Sequence, residues 1–404
     1  MISAVSSPLL PRMCYRPNQS VEVLDPLTPS QRTGTLLPME LTDLKIQYHN
    51  LKEEIWSAVA DVMDSAAFVQ GSVCQKFADE FATAHGSLGA VPCSNGTAAL
   101  EMVLRALEIG PGDEVLIPNN TFFGTVEPVV RVGAHPVFAD VVRPTYSLDF
   151  DHLQSLVSGK TKAIIPVHLY GHPENMDRVM ELASRHKLHV IEDCAQAHLA
   201  KWMGRSVGTF GQAGTFSFYP SKNLGAFGNA GAVVSEDPDL LKKVSCLANH
   251  GRSDRYLHGE LGSNETMDGI QAAVLSVKLK YLAEWTQKRR DHASYYDGPL
   301  LERGFRVLEA SKFSYAVYHL YVVEVSNRDE VINHLRELGI QTGIHYPVPM
   351  DKQPALQKIM SHSGLQCPLS HEIADRILSL PLYPEMTASG RELVVEKFLE
   401  VARP

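Results

Sequence analysis

Residues 163–195, AIIPVHLYGHPENMDRVMELASRHKLHVIEDCA, contain a short apolar run, a stretch with helical spacing and a second short apolar run. Apolar runs of this length are typical of strands buried on both faces. A helix between two such strands connects them in parallel. This stretch therefore predicts one strand–helix–strand unit of a parallel sheet.

The same alternation extends from about residue 86 to about residue 245. Further apolar runs stand at GAVPCS, DEVLIP, HPVFAD, GTFSFYP and GAVVS, and amphipathic stretches lie between several of them. The pattern predicts an α/β fold with a mainly parallel sheet covered by helices on both faces. In such sheets ligands bind where strands end and helices begin, so we expect functional residues just after the strands.

The remainder of the 404-residue chain predicts a second, smaller domain. The stretch DGIQAAVLSVKLKYLAEWTQKRRDHASYYDGPL is interpreted as one long helical connector. After it, HLYVVEV predicts a strand, RDEVINHLRELG a helix and IQTGIHYPV a strand. We expect a large domain with an N-terminal helix over residues 39–285 and a small α+β domain over residues 286–404.

Residues 1–38 are rich in Pro, Ser and Thr and show no clear period. This composition favours a disordered or loosely packed extension. The alternative is that translation begins at Met39, where helical spacing starts.

Composition argues against several classes of protein. The net charge of −9 is unlike the basic footprint of a nucleic-acid-binding protein and disfavours an anionic membrane surface. No apolar run is long enough to span a bilayer, and the N-terminus lacks the basic region of a signal peptide. The six cysteines are scattered without a CxxC pair, which indicates no disulfide framework. We therefore expect a cytoplasmic protein without nucleic-acid or membrane partners.

Two strand ends carry candidate binding groups. In CSNGTAAL (93–100), Gly96 and Thr97 open a predicted helix whose free N–H groups suit a phosphate, although a simple helix cap is the commoner use. In VIEDCAQA (190–197), Glu192 and Asp193 end an apolar strand and suit a metal or a protonated ring nitrogen, or a helix cap. No His/Cys/Asp cluster with metal-ligand spacing surrounds them, so no metal site is predicted.

A lone lysine, Lys222, lies in TFSFYPSKNLGAFGNAGAVV (215–234). Apolar surroundings disfavour the charged form of a lysine, so its amine becomes a nucleophile that can form a Schiff base with an aldehyde. Gly225, Gly228 and Gly231 would let the backbone pass close to a ligand. A surface lysine in a glycine-rich loop is the simpler interpretation. However, the order of phosphate turn, strand-end carboxylate and lysine is what pyridoxal phosphate requires.

These segments, taken together, resemble the DegT/StrS family of pyridoxal-phosphate-dependent sugar aminotransferases, which has the aspartate aminotransferase fold (fold type I). The resemblance covers about residues 40–404, in the same order throughout. It implies a seven-stranded, mainly parallel sheet in the large domain, a smaller C-terminal domain and a homodimer that shares its active sites. The matching segments are FVQGSVCQKFADEFATAHG, SNGTAAL, PNNTFFGTVEPVVRVGAHPVFADV, IIPVHLYG, VIEDCAQAHLA, FSFYPSKNLGAFGNAGAVV and HYPVPM.

The resemblance assigns roles around the cofactor ring. Lys222 is implied to form the Schiff base and to carry the proton. Asp193 is implied to hold the pyridinium proton, and Gln196 to lie near the ring hydroxyl. Phe122 is implied to stack on the ring, whereas a plain core phenylalanine is the alternative.

The resemblance also assigns roles around the phosphate and the sugar. Gly96, Thr97 and Ser217 match the phosphate cup. Asn264 matches an asparagine that reaches the phosphate of the neighbouring subunit. His345 lies in a segment that resembles a loop of the sugar pocket and is a candidate substrate contact.

Some residues fall outside the family pattern or outside the predicted chemistry. Asn229 stands where the family often has an acidic residue, and Thr266 where many members have a basic one. The second departure leaves phosphate affinity and substrate identity open. His168, His198 and His250 are expected to be structural.

The implied reaction is transfer of an amino group from L-glutamate to a nucleotide-activated keto-sugar. The segment TGIHYPVPM resembles members of the family that aminate carbon 3 of a dTDP-keto-6-deoxyhexose, which implies a dTDP-3-keto-6-deoxyhexose as the acceptor. Amination at carbon 4, of a UDP- or GDP-keto-sugar, and amination of a keto-cyclitol remain alternatives. A pyridoxal-phosphate-dependent sugar dehydratase is disfavoured by Lys222, because those relatives carry histidine there. A non-catalytic regulatory protein that binds the cofactor is the remaining alternative.

Overall fold

The computed structural model describes residues 39–359 and 367–404. The predicted extension over residues 1–38 lies outside the described residues. The described residues belong to one compact unit. The boundary at residue 285 stays a prediction within that unit.

The described ranges contain the following helices and strands. The helices are α1 (Leu44–Ser65), α2 (Ser72–His85), α3 (Gly96–Ala106), α4 (Phe123–Arg131), α5 (Phe150–Ser155), α6 (Met176–His186), α7 (Pro238–Ala248), α8 (Gly269–Leu279), α9 (Leu282–Glu302), α10 (Arg328–Glu337), α11 (Pro354–Gln357), α12 (Pro368–Arg376) and α13 (Ala388–Val401). The strands are β1 (Gly89–Cys93), β2 (Glu114–Pro118), β3 (His135–Ala139), β4 (Val141–Val142), β5 (Ser147–Leu148), β6 (Thr161–Ile164), β7 (His189–Asp193), β8 (Lys201–Trp202), β9 (Arg205–Ser206), β10 (Ala213–Ser217), β11 (Gly231–Ser235), β12 (Arg252–Asp254), β13 (Leu257–His258), β14 (Arg306–Val307), β15 (Ser314–Tyr315), β16 (Tyr321–Glu324) and β17 (Ile377–Leu380).

The large sheet has seven strands in the order β1-β11-β10-β7-β6-β2-β3. The pairings from β10 through β3 are parallel. Only β11, within the described part of this sheet, runs against its neighbours, pairing antiparallel with both β1 and β10. The predicted seven-stranded, mainly parallel sheet is confirmed. Because β11 returns beside β10, residues 218–230 form the connection at the carboxyl end of β10.

The sheet is buried because its strands are apolar along nearly their whole length. Four of the five residues of both β2 and β3 are buried, and all five residues of β11 are buried. Helices on the two faces exclude water, as continuous apolar strands require. The strand–helix–strand unit predicted from residues 163–195 is present as β6, α6 and β7.

Helix starts follow local capping signals. The side chain of Asn95 accepts the N–H of Ala98 at 2.8 Å and caps α3. The side chain of Asp43 accepts the N–H groups of Lys45 and Ile46 and caps α1. Such caps satisfy donors that have no partner within the helix, which places the beginning of α3 directly after β1.

A three-stranded antiparallel sheet, in the order β14-β16-β17, lies in the C-terminal part. A separate apolar cluster packs on it and includes Tyr296, Val323, Leu335 and Phe398. The predicted strand in HLYVVEV and the predicted helix in RDEVINHLRELG are therefore confirmed as β16 and α10.

Two predicted elements in this half of the chain are wrong. The connector is two helices, α8 and α9, because the chain turns at Tyr281, whose N–H donates to Lys278 O. The segment IQTGIHYPV is no strand; Ile340 and Gly343 make only isolated bridges. Pro347 and Pro349 follow, and proline lacks the N–H that a ladder needs.

No helix in the described ranges has both the length and the apolar character needed to cross a bilayer.

Candidate active site

A pocket of about 420 Å³ opens at the carboxyl ends of the parallel strands. This is the position at which parallel α/β sheets bind ligands. The structure brings most of the predicted site residues together there. Those that line it are Gly96, Thr97, Phe122, Asp193, Gln196, Ser217, Lys222 and His345.

Asp193 is the last residue of β7 and is buried at the floor of the pocket. One carboxylate oxygen, Oδ2, accepts the hydroxyl of Thr125 at 2.7 Å, and the other, Oδ1, accepts the N–H of Ala195 at 3.0 Å. Each oxygen keeps a second lone pair, so the carboxylate can still accept a proton-bearing group from the pocket side.

Glu192, the neighbouring acid, serves the interior instead. Adjacent residues of a strand point to opposite faces. Glu192 accepts the N–H groups of Gly208, Phe210 and Gly211 at 2.7–2.9 Å and lies 3.1 Å from Nε2 of His168. Glu192, His168 and Cys194 are close enough to suggest metal ligands, but Glu192 is already surrounded by protein donors. We interpret this group as structural.

Lys222 lies in the connection between β10 and β11 and faces the same pocket as Asp193. Burial lowers the pKa of its amine to about 8, and the negative charge of Asp193 partly opposes that shift. A lowered pKa increases the neutral, nucleophilic fraction of the amine near neutral pH. The electrostatics expected from the sequence are therefore present.

The connection that carries Lys222 is held from several sides. The N–H of Lys222 donates to Tyr219 O at 2.8 Å, and the amide of Asn223 donates to Val317 O at 3.0 Å. From α8, Lys278 Nζ donates to Gly225 O at 2.7 Å. These bonds fix the backbone on both sides of the lysine.

Gly225 in this connection and Gly231 at the start of β11 allow backbone to pack closely on backbone. A Cβ atom at Gly225 would lie 2.2 Å from Pro220 O, and one at Gly231 would lie 2.4 Å from the carbonyl carbon of Asn95. The sequence predicted that these glycines let the backbone pass close to a ligand. At Gly225 and Gly231 the atoms that pass close are those of the protein backbone.

Gly96, Thr97 and Ser217 form one wall of the pocket. A Cβ atom at Gly96 would lie 2.8 Å from the Cβ of Ser217, so only glycine lets β10 and the start of α3 come this close. Gly96 and Thr97 are the first two residues of α3, where backbone N–H groups have no partner within the helix. Two free N–H groups beside two hydroxyls suit a phosphate.

Gln196 and Phe122 also line the pocket. Gln196 accepts the N–H of Tyr170 at 2.6 Å and donates to the hydroxyl of Tyr346 at 3.0 Å. Its amide therefore has one N–H left for a ligand oxygen. Phe122 is 53% exposed as a residue, and the centre of its ring lies 5.3 Å from that of the Tyr346 ring. An exposed aromatic face in a pocket is available for stacking on a planar ring.

His345 lines the pocket, and its Nδ1 lies 2.9 Å from the hydroxyl of Ser379. Burial, together with the charge of Lys222, lowers the pKa of His345 to about 4, so its ring is neutral near pH 7. His168 and His198 are buried and His250 is exposed. None of these three described histidines lines the pocket.

Asn264 is the predicted site residue that does not line this pocket. It is exposed and makes an isolated bridge with Asn249. Thr266, at the position where a basic residue was expected, pairs with Cys93 at the end of β1. A role for Asn264 in the site of another subunit stays a prediction.

Sequence reasoning missed Thr125, Tyr346 and His319. Thr125 contacts Asp193, and Tyr346 contacts Gln196. His319 lines the pocket, and its Nδ1 lies 3.2 Å from Asn223 Oδ1. Thr125 and Tyr346 lie in the quoted segments NNTFFGTV and HYPVPM, so their proximity to Phe122 and His345 was the available signal.

The residues of this pocket fit pyridoxal phosphate. The close packing at Gly96 leaves N–H donors for a phosphate. The buried carboxylate of Asp193 and the amine of Lys222, whose pKa is lowered, face the same pocket. Phosphate, ring nitrogen and aldehyde each find a chemically matching group.

A family model for the DegT/DnrJ/EryC1/StrS aminotransferase family matches residues 49–399. The UDP-N-acetyl-3-dehydro-α-D-glucosamine 3-aminotransferase of Acidithiobacillus ferrooxidans is 41% identical, over 87% of this chain and 94% of that protein. The dTDP-3-amino-3,4,6-trideoxy-α-D-glucose transaminase of Streptomyces venezuelae is 39% identical, over 89% of this chain and 95% of that protein.

A solved structure shows the same similarity. The X-ray structure of S. venezuelae DesV in complex with a ketimine intermediate superposes with a TM-score of 0.87 at 38% identity. The match covers 90% of this chain and 98% of that one.

Proposed function

We propose that this chain, which belongs to the DegT/DnrJ/EryC1/StrS aminotransferase family, transfers an amino group from L-glutamate to a nucleotide-activated keto-sugar. Like its relatives, it is a pyridoxal-phosphate-dependent aminotransferase of amino-sugar synthesis. It has the type I fold that was expected from its sequence. Lys222 and the relatives named above as aminotransferases favour transamination over the dehydratase and the regulatory alternatives. The observation that carries the proposal is Lys222, with a lowered pKa, in one pocket with Asp193.

Bound pyridoxal phosphate supplies an aldehyde that combines with amines and a protonated ring that withdraws electrons from the bond to be broken. With the cofactor bound, Lys222 Nζ would hold its aldehyde. When a substrate amine takes that place, Nζ would be free to act as the base for the α-proton of the amino acid. The lowered pKa makes it a base that is neutral for much of the time near pH 8.

The other residues hold and orient. The N–H groups of Gly96 and Thr97 and the hydroxyl of Ser217 would hold the phosphate. Asp193 would accept the N–H of the protonated ring, and a buried carboxylate beside that charge would keep the proton in place. Phe122 would stack on the ring and exclude water from it.

For the acceptor we propose a dTDP-3-keto-6-deoxyhexose. The two relatives described above are both named for an amino group at carbon 3, one on a dTDP-sugar and one on a UDP-sugar. His345, neutral near pH 7, is proposed as a hydrogen-bond partner of a sugar hydroxyl. A UDP-linked 3-keto-sugar is the alternative, supported by the name of the A. ferrooxidans relative.

We further propose a homodimer in which Asn264 reaches the phosphate site of the partner. Support comes from its exposure and from its absence from the lining of the pocket in its own chain. We also propose that the protein acts in a reducing cytoplasm, because all cysteines in the described ranges are free thiols.

The experiment that tests the reaction is a two-stage absorbance measurement on purified, cofactor-loaded protein. L-Glutamate is expected to remove the visible band of the bound cofactor, and a keto-sugar nucleotide to restore it. Lys222→Ala is expected to lose the band at the outset. A band that depends on Lys222 but is unaffected by L-glutamate would overturn the proposed donor.

The acceptor is tested by the same recovery of the band. A dTDP-linked and a UDP-linked 3-keto-sugar are compared at equal concentration, and the dTDP-sugar is expected to restore the band faster. Faster recovery with the UDP-sugar would replace the proposed acceptor.

The shared site is tested by mixing two defective variants, Lys222→Ala and Asn264→Ala. If Asn264 acts across subunits, hybrid dimers hold one site with both residues intact, and activity returns on mixing. If it acts within its own chain, every site keeps one defect and the mixture stays inactive.

A further inference from the structure

We propose that Thr121 and Thr125 form a directed hydrogen-bond chain that positions the Asp193 carboxylate for the cofactor ring. The inference rests on the proposed function, since it takes Asp193 to be the partner of the ring nitrogen. It makes Thr125 a positioning residue that acts through Asp193.

The direction of the chain follows from the atoms involved. An ionised carboxylate has no hydrogen to give, so in the 2.7 Å contact the Thr125 hydroxyl must donate to Asp193 Oδ2. That uses the only hydrogen of Thr125 Oγ1. In the 2.9 Å contact between the two threonine hydroxyls, Thr121 must therefore be the donor. Hydrogen bonds in such a chain polarise and strengthen one another.

The chain fixes a torsion that is otherwise soft. The terminal torsion of an aspartate side chain has a broad distribution, so the carboxylate plane has to be set by its partners. Ala195 N–H holds Oδ1 at 3.0 Å, and Thr125 holds Oδ2 from the other side. With both oxygens held, the remaining lone pairs keep one direction, towards the pocket that Asp193 lines.

The same segment carries the predicted stacking residue. Thr121 precedes Phe122, which caps α4, and the N–H of Thr125 donates to Phe122 O at 3.0 Å. Thr121 and Thr125 are both almost fully buried. One rigid turn thus sets the aromatic face and the carboxylate relative to each other, and both are proposed to meet the same ring.

A structural role alone would also explain two buried hydroxyls that satisfy each other. The two explanations predict changes in different measured quantities. A structural role changes the stability of the fold, whereas a positioning role changes cofactor affinity only while Asp193 is a carboxylate. A double-mutant cycle between Thr125 and Asp193 separates them.

The probe is pyridoxamine 5′-phosphate, which forms no covalent bond with Lys222 and therefore reports the non-covalent contacts. Its Kd is measured by fluorescence quenching on the full-length protein stripped of cofactor. Thr125→Val is expected to raise that Kd by roughly tenfold, as loss of a hydrogen bond to a charged group does. Thr125→Ser, which keeps the hydroxyl, is expected to stay within about threefold, and Thr121→Val to lie between the two.

Thr286 offers a matched control. It is buried, and its hydroxyl has no partner among the described residues. Thr286→Val repeats the same loss of a hydroxyl away from the pocket, and its Kd is expected to equal that of the wild type. The melting temperature of every variant checks that it folds.

Asp193→Asn completes the cycle. In that background Thr125→Val is expected to add less than about twofold, because asparagine has no negative charge and only one acceptor oxygen for the two donors, Ala195 N–H and Thr125 O–H. If Thr125→Val raises the Kd equally in both backgrounds, or not at all beside an intact Asp193, the positioning role is wrong. If Asp193→Asn itself leaves the Kd unchanged, the proposed function of Asp193 fails instead.

Discussion

Two lysines of this protein have a pKa lowered to about 8 by burial, and their surroundings give them different chemistry. Lys222 lines the pocket and faces Asp193. Lys278 is 2% exposed, donates to Gly225 O at 2.7 Å, and its Nζ lies 4.6 Å from the ring centre of Phe227. A lowered pKa marks both residues, but only Lys222 combines it with access to a ligand. Accessibility, and not the pKa alone, makes a lysine a nucleophile.

The first prediction concerns which lysine reacts. Stripped protein is given pyridoxal phosphate, the bond is fixed with borohydride and the labelled peptide is identified. We expect label on Lys222 and none on Lys278, because the Lys278 amine is enclosed and bonded to a carbonyl. The two residues are matched in pKa, so label on Lys278 would contradict the argument from accessibility.

The second prediction is the pH dependence of that capture. The pKa of Lys222 lies below its ordinary value, so the neutral amine appears as pH rises, and the capture rate should rise with a midpoint near pH 8. Asp193 favours the charged amine and raises that pKa. Asp193→Asn should therefore move the midpoint to lower pH, and Lys222→Arg should abolish capture. A midpoint that stays in place or rises in Asp193→Asn would contradict this account.

At the scale of elements, the connection between β10 and β11 determines where Lys222 lies. The connection folds back so tightly at Gly225 that a Cβ atom there would lie 2.2 Å from Pro220 O. A backbone oxygen cannot swing away, so the turn itself would have to open. At Gly228 the nearest atom is Gln271 Nε2 at 3.2 Å, the end of a flexible side chain. The same added methyl group therefore tests two different surroundings.

The third prediction is that Gly225→Ala costs about 1–3 kcal/mol in the free energy of unfolding, as overpacking does, and slows capture of pyridoxal phosphate by Lys222. Gly228→Ala should cost less than about 1 kcal/mol and leave capture unchanged, because the Gln271 side chain can move. Urea unfolding and the borohydride assay measure the two effects. Equal behaviour of the two variants would show that the turn is not tightly packed.

Elements whose signal is local were predictable from the sequence. The apolar runs of β2, β7 and β11 are continuous because both faces are covered, and Asn95 caps α3 where a cap was expected. The pocket could be located from the sequence too, because the ends of the apolar runs show where the strands end and candidate site residues follow them. Elements defined by distant contacts were not predictable. The segment 340–348 alternates like a strand, yet after Gly343 it turns to line the pocket with His345 and Tyr346.

The break between α8 and α9 was equally hidden, because neither glycine nor proline marks it. The two acids at the end of β7 also looked equivalent in the sequence. Only the packed structure shows that Glu192 faces the loop at 208–211 and that Asp193 faces the pocket. The roles of Thr125 and Tyr346 depend on contacts between distant segments, which periodicity does not report.

At the scale of the whole molecule, one buried carboxylate links the segment between β4 and β5 to the small sheet. Glu324, in β16 of the small sheet, is 1% exposed. Arg143, which follows β4, donates to both of its oxygens at 2.8 and 2.9 Å, and the Tyr146 hydroxyl donates at 2.7 Å. Arg376, at the end of α12, lies 3.3 Å away. Segments far apart in the chain thus meet at a single charge.

The fourth prediction is that Glu324→Gln lowers the free energy of unfolding by about 2–4 kcal/mol. Removing one partner of a buried ion pair leaves the other charge less compensated, and the partial exposure of Arg143 and its second pair with Glu372 moderate that cost. Glu372 is the matched control, because it pairs with the same arginine at 3.1 Å but is 52% exposed. Glu372→Gln should cost less than about 1 kcal/mol, as exposed pairs do.

Urea unfolding at one fixed protein concentration measures both variants, since any association of subunits would add to the apparent stability. The ratio of the two effects carries the test, because both substitutions remove one negative charge near Arg143. If Glu324→Gln and Glu372→Gln cost the same, burial of the carboxylate contributes nothing, and Glu324 is not what links the segment between β4 and β5 to the small sheet. If Glu324→Gln also leaves cofactor capture by Lys222 unchanged in the folded protein, the link serves stability and does not shape the pocket.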